Sequence, residues 1–254
     1  MVQTAIKPIQ AQAYLKIQMK FSSRQQPQVI VALDLSDRQK ALNMGRTLRP
    51  ETGWIKIGLE LFTSFGPDIV REFKNMDYKI FLDLKFMDIP NTVYRAVRNC
   101  VDLDVDMLSL HLVGGRKMAE AALKAKTDIG PSGPLLIGVT LLTSLERNDL
   151  PWNEERDLSE VVLDLGRRAA SWGLNGVVCS GMEAGLLSRS LAEDICLVVP
   201  GIRSPGSKDD QKRTVTAVQA RDAGATHLVV GRPVTCSADP KNALARIKDE
   251  LSAS

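Results

Sequence analysis

Short apolar runs alternate with amphipathic segments along the chain from Val29 onward. The runs are VIVALDL (29–35), WIKIGL (54–59), KIFLDLKF (79–86), DMLSLHL (106–112), LLIGVTLL (135–142), GVVCS (176–180), CLVVPGI (196–202) and HLVVGRP (227–233). Near-continuous apolar strands separated by helices are typical of a parallel sheet with both faces covered. The pattern therefore predicts eight strands.

The segments between these runs have apolar residues at helical spacing. The clearest sets are Ile69, Val70, Phe73 and Met76 after Pro67; Val162, Leu165, Ala169 and Trp172 after a capping Asp157 with Glu160; and Leu244, Ile247 and Leu251 after Asp239-Pro240. Eight strand–helix units favour a closed α/β barrel, the (β/α)8 TIM barrel, over an open sheet. We expect one barrel domain at 27–254, because no linker or composition shift divides it.

Residues 1–26 stand apart, since they contain four basic residues and the first acidic residue of the chain is Asp34. We predict a disordered N-terminal extension. An organelle transit peptide and a translation start at Met19 are the alternatives that the sequence leaves open.

Composition limits the functions that the chain can have. It has 254 residues, 44% hydrophobic and 25% charged, which is ordinary for a globular protein. A net charge of +3 is too small to indicate a nucleic acid or a membrane surface as partner, but it suits a small anionic ligand.

Four widely spaced cysteines without a CxxC pair, and no histidine cluster, predict reduced thiols and no metal site. Without an apolar run of about 20 residues, we expect a soluble, cytoplasmic protein.

The stretch FLDLKFMDIPNT (81–92) carries three charges on and just after a predicted strand: Asp83, Lys85 and Asp88. Alternation along a strand sends Asp83 and Lys85 to the same face. Charges in an apolar setting are costly unless they are paired, so this set predicts a mutually compensating network. A structural salt bridge and a reacting centre both fit the segment taken alone.

In a TIM barrel the active site lies at the carboxyl ends of the strands, and polar residues collect there in this sequence. They are Asp34, Lys56, Asp83, Lys85, His111, Thr143, Arg203 and Arg232. The loops after the seventh and eighth strands often bind phosphate in such barrels, which makes Arg203, Gln211, Gly231 and Arg232 candidate phosphate ligands. The polar segment 204–213 could fold over a ligand as a lid. For His111, a structural role and a place in the site both remain open, whereas His227 begins the eighth strand at the opposite end.

Several motifs resemble the orotidine 5'-phosphate decarboxylase family. They are DLKFMDIPNTV (83–93), VALD from 31, KIG from 56, VTLLTS from 139, VVCS from 177, PGIR from 200 and GRPVT from 231. They follow one another in the same order from residue 29 to about residue 240. A DxKxxD pattern alone also occurs in sugar-phosphate decarboxylases and aldolases, but Ile89-Pro90-Asn91-Thr92 and the two phosphate loops are more specific.

The resemblance implies cofactor-free loss of CO2 from orotidine 5'-monophosphate to give uridine 5'-monophosphate (UMP), the last step of pyrimidine nucleotide synthesis. It implies that Lys85 is the proton donor in an alternating Lys56-Asp83-Lys85-Asp88 network, with Asp83 beside the substrate carboxylate. No metal or other cofactor is expected.

The resemblance also implies the binding roles. Asp34 and Lys56 would hold the ribose hydroxyls, Thr143 would contact the pyrimidine, and Arg203, Gln211 and Arg232 would bind the phosphate. Asp88, Ile89 and Thr92 would reach into the site of a partner subunit. The implied active unit is a homodimer with shared active sites.

Two other functions use part of the same pattern. A metal-dependent 3-keto-gulonate-phosphate decarboxylase or hexulose-phosphate synthase would share DxKxxD and would be inhibited by chelation. A catalytically silent nucleotide-binding regulator would keep the phosphate loops, but binding alone does not require Asp83, Lys85 and Asp88. A purely structural protein would leave the polar rim unexplained.

Overall fold

A computed structural model of the protein describes residues 26–128, 133–150, 155–203 and 214–253. Eight parallel strands follow one another around a closed barrel, and the eighth pairs with the first. The strands are β1 (Gln28–Ala32), β2 (Trp54–Gly58), β3 (Lys79–Phe86), β4 (Met107–His111), β5 (Leu135–Val139), β6 (Gly176–Val178), β7 (Cys196–Val199) and β8 (His227–Val230). All eight predicted strands and the TIM-barrel fold are confirmed.

Helices join the strands and cover the outside of the barrel. Within the described ranges they are α1 (Arg38–Leu48), α2 (Leu59–Phe65), α3 (Pro67–Lys74), α4 (Pro90–Asp102), α5 (Arg116–Thr127), α6 (Leu158–Trp172), α7 (Gly181–Ser190), α8 (Ala217–Asp222), α9 (Arg232–Thr235) and α10 (Pro240–Ser252). Short 3₁₀ turns occupy Leu112–Gly114 and Arg147–Asp149. None of the helices in these ranges is both long enough and apolar enough to cross a bilayer.

The core has two layers, because successive side chains on a strand point into the barrel and outward to the helices. The inner layer is Ile30, Ala32, Trp54, Phe81, Met107, Ile137, Val198 and Val229. The outer layer packs the other strand face against the helices and includes Val31, Ile55, Leu82 and Leu108. The filled interior leaves polar groups space only at the ends of the barrel.

The local signals of the last helix act as predicted. Pro240 begins α10, and the side chain of Asp239 accepts a hydrogen bond from the Asn242 N–H. Leu244 and Leu251 are buried. Asp157 precedes α6 as predicted, but its side chain makes no capping hydrogen bond.

The predicted extent of the helix after Pro67 was wrong at its end. The helix begins at Pro67 but ends at Lys74, so Met76 lies outside it. Asp77 follows with a φ of 60°, a left-handed conformation that does not continue a helix. The chain turns there into the buried Tyr78, just before β3.

The pairing of β3 with β4 is irregular near the carboxyl end of β3. Leu82 pairs with Leu108, and Phe86 pairs with Leu110. Between these two pairs the chain advances by four residues along β3 but by only two along β4. Lys85 lies inside this irregularity with a φ of 51°. A left-handed residue other than glycine costs roughly 1–2 kcal/mol, which the surrounding contacts must offset.

Candidate active site

A cavity of about 250 Å³ opens at the carboxyl ends of the strands. Its walls include Ala32, Phe81, Val139 and Val198 from the barrel interior. Eight of the residues predicted for the site also line it: Asp34, Lys56, Asp83, Lys85, Thr143, Arg203, Gly231 and Arg232. Residues that are far apart in the sequence therefore face one space.

The charged residues form a chain of alternating sign across the floor of the cavity. The Lys56 Nζ lies 3.1 Å from the Asp34 Oδ1 and 3.6 Å from the Asp83 Oδ2. The Lys85 Nζ donates to the same Asp83 Oδ2 at 2.8 Å. Asp83 and Lys85 thus share a face, as alternation predicted, and one carboxylate oxygen faces two ammonium groups.

Asp83 is ionised in spite of its burial. Burial raises the pKa of this carboxyl group. The charges of Lys56 and Lys85 and the hydrogen bonds from Lys85 and Ser109 lower it by more than burial raises it, so the net shift is downward. A fixed negative charge therefore lies between the two lysines at neutral pH.

His111 is half-buried at the end of β4. Burial lowers its pKa, the positive charge of Lys85 lowers it further, and Asp83 acts weakly in the opposite direction. The imidazole is therefore neutral at pH 7. It does not line the cavity.

Gly58, the last residue of β2, provides the space for the lysine–aspartate pairs. A Cβ atom at this position would lie 2.8 Å from the Lys56 Nζ and 3.2 Å from the Asp34 Oδ1. Any side chain here would push the ammonium group away. The glycine of the KIG motif thus allows Lys56 to reach between the two carboxylates.

Two arginines lie on the side of the cavity formed by β7 and β8. Arg203 is buried after β7, where its Nη1 donates to the Ile202 carbonyl at 2.8 Å and its backbone N–H donates to the Val215 carbonyl at 2.9 Å. Arg232 is exposed and begins α9 next to Gly231. Two guanidinium groups at one end of a cavity suit an anion with several oxygens. Gln211 and the proposed lid at 204–213 lie outside the described residues.

Asp88 and Thr92 do not join this cluster. Both are exposed beyond the end of β3, and neither lines the cavity. The Asp88 Oδ1 accepts the Ile89 backbone N–H at 2.6 Å. Nearby, Met87 and Ile89 are 57% and 67% exposed, which is unusual for large apolar side chains.

Sequence reasoning missed Ser109 in β4. Its hydroxyl is fully buried and donates to the Asp83 Oδ1 at 2.7 Å, and its Oγ accepts the Lys85 backbone N–H at 2.9 Å. The available signal was a single hydroxyl in the apolar run DMLSLHL, on the strand next to the charged one.

No group of three or more His, Cys, Asp or Glu residues in the described parts of the chain is arranged to hold a metal ion. All four cysteines are free, and burial raises the pKa of Cys100 to about 12 and that of Cys179 further. These buried thiols are inert near neutral pH.

The fold and the cavity together define a (β/α)8-barrel enzyme with a charged centre and an arginine-lined end suited to a small anionic substrate. The sequence model of the Orotidine 5'-phosphate decarboxylase / HUMPS family matches residues 27–247. The chain belongs to this family.

Individual relatives agree with the family match. An orotidine 5'-phosphate decarboxylase of Maridesulfovibrio salexigens is 45% identical over 227 residues, covering 89% of this chain and 99% of that protein. One from Neisseria meningitidis serogroup B is 48% identical over 223 residues, 85% and 89% of the two chains. The crystal structure of orotidine 5'-phosphate decarboxylase from Lactobacillus acidophilus superposes with a TM-score of 0.79 at 36% identity, over 89% of this chain and all of that chain.

Proposed function

We propose that this protein decarboxylates orotidine 5'-monophosphate to UMP and CO2, the final step of pyrimidine nucleotide synthesis, without a metal or organic cofactor. One observation carries the proposal: the chain Asp34–Lys56–Asp83–Lys85 lies in the same cavity as two arginines. Relatives that are 44–48% identical, two of them described above, are named orotidine 5'-phosphate decarboxylase.

The reaction requires a cation next to one ring carbon. When the bond between C6 and the carboxylate breaks, CO2 leaves and the electron pair stays on C6, in the ring plane, where ring resonance cannot delocalise it. The Lys85 ammonium stabilises this pair and then gives it a proton, forming the C6–H bond of UMP. Lys85 is left as a neutral amine and regains its proton from water.

Asp83 orients Lys85 for that step. Its buried, ionised carboxylate holds the Lys85 Nζ at 2.8 Å, and family analogy puts it beside the carboxylate of the substrate. Lys56 offsets part of this negative charge from the other side. Asp34 and Lys56 bind the ribose hydroxyls, and Thr143 contacts the pyrimidine.

Phosphate binding is remote from the reacting carbon. Arg203, Arg232 and the backbone of Gly231 bind the phosphate, together with Gln211, which lies outside the described residues. Binding energy from this distant group can orient the ring over Lys85.

The active unit is a homodimer in which Asp88, Ile89 and Thr92 of one subunit complete the site of the other. Two observations support this arrangement. The three residues are exposed and do not line the cavity of their own subunit. Met87 and Leu59, each just after the end of β3 and β2, are exposed as well, and exposed large apolar side chains are typical of protein interfaces.

The direct test is turnover of orotidine 5'-monophosphate, followed by loss of the orotate absorbance, with and without EDTA. We expect equal rates in the two samples, because protein side chains supply the cation and the proton. The family name also covers HUMPS proteins, the hexulose-phosphate synthases considered above. Treatment with EDTA therefore separates the proposed activity from a metal-dependent sugar-phosphate reaction. No turnover, or turnover abolished by EDTA, overturns the proposal.

A further inference from the structure

Ser109 has a position that ordinary packing does not explain. It is fully buried in the middle of β4 and does not line the cavity, so it cannot contact a ligand there. Both of its hydrogen bonds nevertheless go to the two residues at the reacting centre, Asp83 and Lys85.

The bond to Asp83 determines which carboxylate oxygen faces the lysines. The Ser109 hydroxyl donates to Oδ1 at 2.7 Å, while Oδ2 receives the Lys85 Nζ at 2.8 Å. The Lys56 Nζ is also nearest to Oδ2, at 3.6 Å. Because Oδ1 accepts the hydrogen bond from Ser109, the carboxylate cannot rotate without losing that buried bond.

The bond from Lys85 fixes the backbone that carries the ammonium group. Lys85 has a left-handed φ of 51° where the register between β3 and β4 shifts. Its N–H donates to the Ser109 Oγ at 2.9 Å. A buried N–H requires an acceptor, so this hydroxyl supports the irregular conformation of the strand.

We propose that Ser109 is a positioning residue for the decarboxylation, acting through Asp83 and through the backbone of Lys85. A single hydroxyl can do both because it donates one hydrogen bond while it accepts another. The proposal rests on the proposed function, since it gives Ser109 a part in the turnover of orotidine 5'-monophosphate.

Three substitutions separate the hydroxyl from the volume of the side chain. Ser109→Ala removes the hydroxyl, and Ser109→Thr keeps it with an added methyl group. Ser109→Val has the shape of threonine without the hydroxyl. Steady-state kcat and KM for orotidine 5'-monophosphate are measured for each, with circular dichroism to establish that each is folded at the assay temperature.

We expect kcat of Ser109→Ala to fall roughly 10- to 100-fold, because a small displacement of a reacting group has a large effect on rate. KM should change by less than about threefold, since the groups that bind ribose and phosphate are untouched. Ser109→Thr should recover most of the lost kcat, and Ser109→Val should not.

Thr52→Val is the matched control. Thr52 is buried at the amino end of β2, where its hydroxyl donates to the Val29 carbonyl at 2.8 Å and accepts the Trp54 N–H at 3.1 Å. Thr52→Val therefore loses as many hydrogen bonds as Ser109→Ala does, but at the opposite end of the barrel. We expect its kcat to match the wild type.

The outcomes are separable. If the wild type turns over its substrate but Ser109→Ala retains wild-type kcat, or Ser109→Thr is as slow as Ser109→Val, the positioning role is wrong and the proposed function stands. If Thr52→Val loses as much kcat as Ser109→Ala, the effect is general destabilisation and the positioning role is again wrong. If the wild type shows no turnover, the proposed function itself fails.

Discussion

Asp83 is the residue on which the charged centre depends. Its Oδ2 faces both Lys85 and Lys56, and its pKa is lowered in spite of burial. Removing a carboxylate from water costs several kcal/mol unless partners compensate, and here both lysines and one serine do so. A purely structural ion pair needs only one cation. The second lysine and the adjacent cavity are what favour the reacting centre over the plain salt bridge.

His227 shows a different use of burial, at the amino end of β8. Its ring packs edge-on against Trp54 with centroids 5.9 Å apart. Burial lowers its pKa from 6.5 to about 4, and the charge of Lys79 acts in the same direction. The neutral ring is therefore part of the folded structure, as expected for a histidine at the end of the barrel remote from the cavity.

This shift predicts a pH dependence of stability. Because the folded-state pKa is below the unfolded one, the unfolded chain binds the proton first, and stability falls as pH decreases from 6.5 to about 4. The total loss is roughly 3 kcal/mol for a shift of this size. We expect urea denaturation to give a flatter pH profile for His227→Gln than for the wild type. Parallel profiles over this window would contradict it.

Other groups do not obscure that comparison. Asp83 has a lowered pKa, so its contribution is lost only as the pH falls below its ordinary value of 3.8. His111 has a lowered pKa in both proteins, and its effect cancels in the difference between them.

Strand β2 is the element that brings Lys56 between its two carboxylates, and its terminal Gly58 makes this possible. We expect Gly58→Ala to fold normally but to lower kcat/KM at least about tenfold, because the new methyl group displaces the Lys56 ammonium from Asp34 and Asp83. The assay is orotidine 5'-monophosphate turnover.

A control for this substitution exists just before the amino end of the same strand. A Cβ at Gly53 would have no atom within 4 Å, so Gly53→Ala adds the same methyl group without a collision. We expect wild-type kcat/KM for it. Equal losses in the two variants would contradict the role given to Gly58.

The sequence predicted the elements well where the signal was local. All eight strands were found because their apolar runs are nearly continuous, and alternation correctly put Asp83 and Lys85 on one face. The irregular pairing at Lys85 and the role of Ser109 were not predictable in this way. Register between β3 and β4 depends on how two distant segments align, and no residue within β3 signals it.

At the scale of the whole molecule, the cavity exists because parallel strands present all their carboxyl ends at one rim. That rule allowed Asp34, Lys56, Arg203 and Arg232 to be grouped from the sequence. His111 was grouped by the same rule but does not line the cavity, and neither does Asp88, three residues after Lys85. The loop after β3 carries Asp88 to the surface, where the proposed partner subunit would use it.

Shared sites predict complementation between two inactive proteins. We expect Lys85→Ala and Asp88→Ala each to be inactive, since each lacks a group in every site. Mixed and reassociated at equal concentrations, half of the dimers are hybrids with one intact site, so turnover should recover to about one quarter of the wild type. Each variant reassociated with itself is the control. A mixture that stays inactive would contradict the shared site.

The most direct measurement is the comparison of turnover and UMP binding in Lys85→Ala. We predict a folded protein that binds UMP with near wild-type affinity, because the arginines remain, while turnover falls more than about 10³-fold without the cation and proton donor. Lys79→Ala, at the exposed amino end of the same strand, should keep full turnover. If Lys85→Ala instead keeps turnover within tenfold of the wild type, or fails to fold, Lys85 is not the reacting residue and the network is a structural salt bridge.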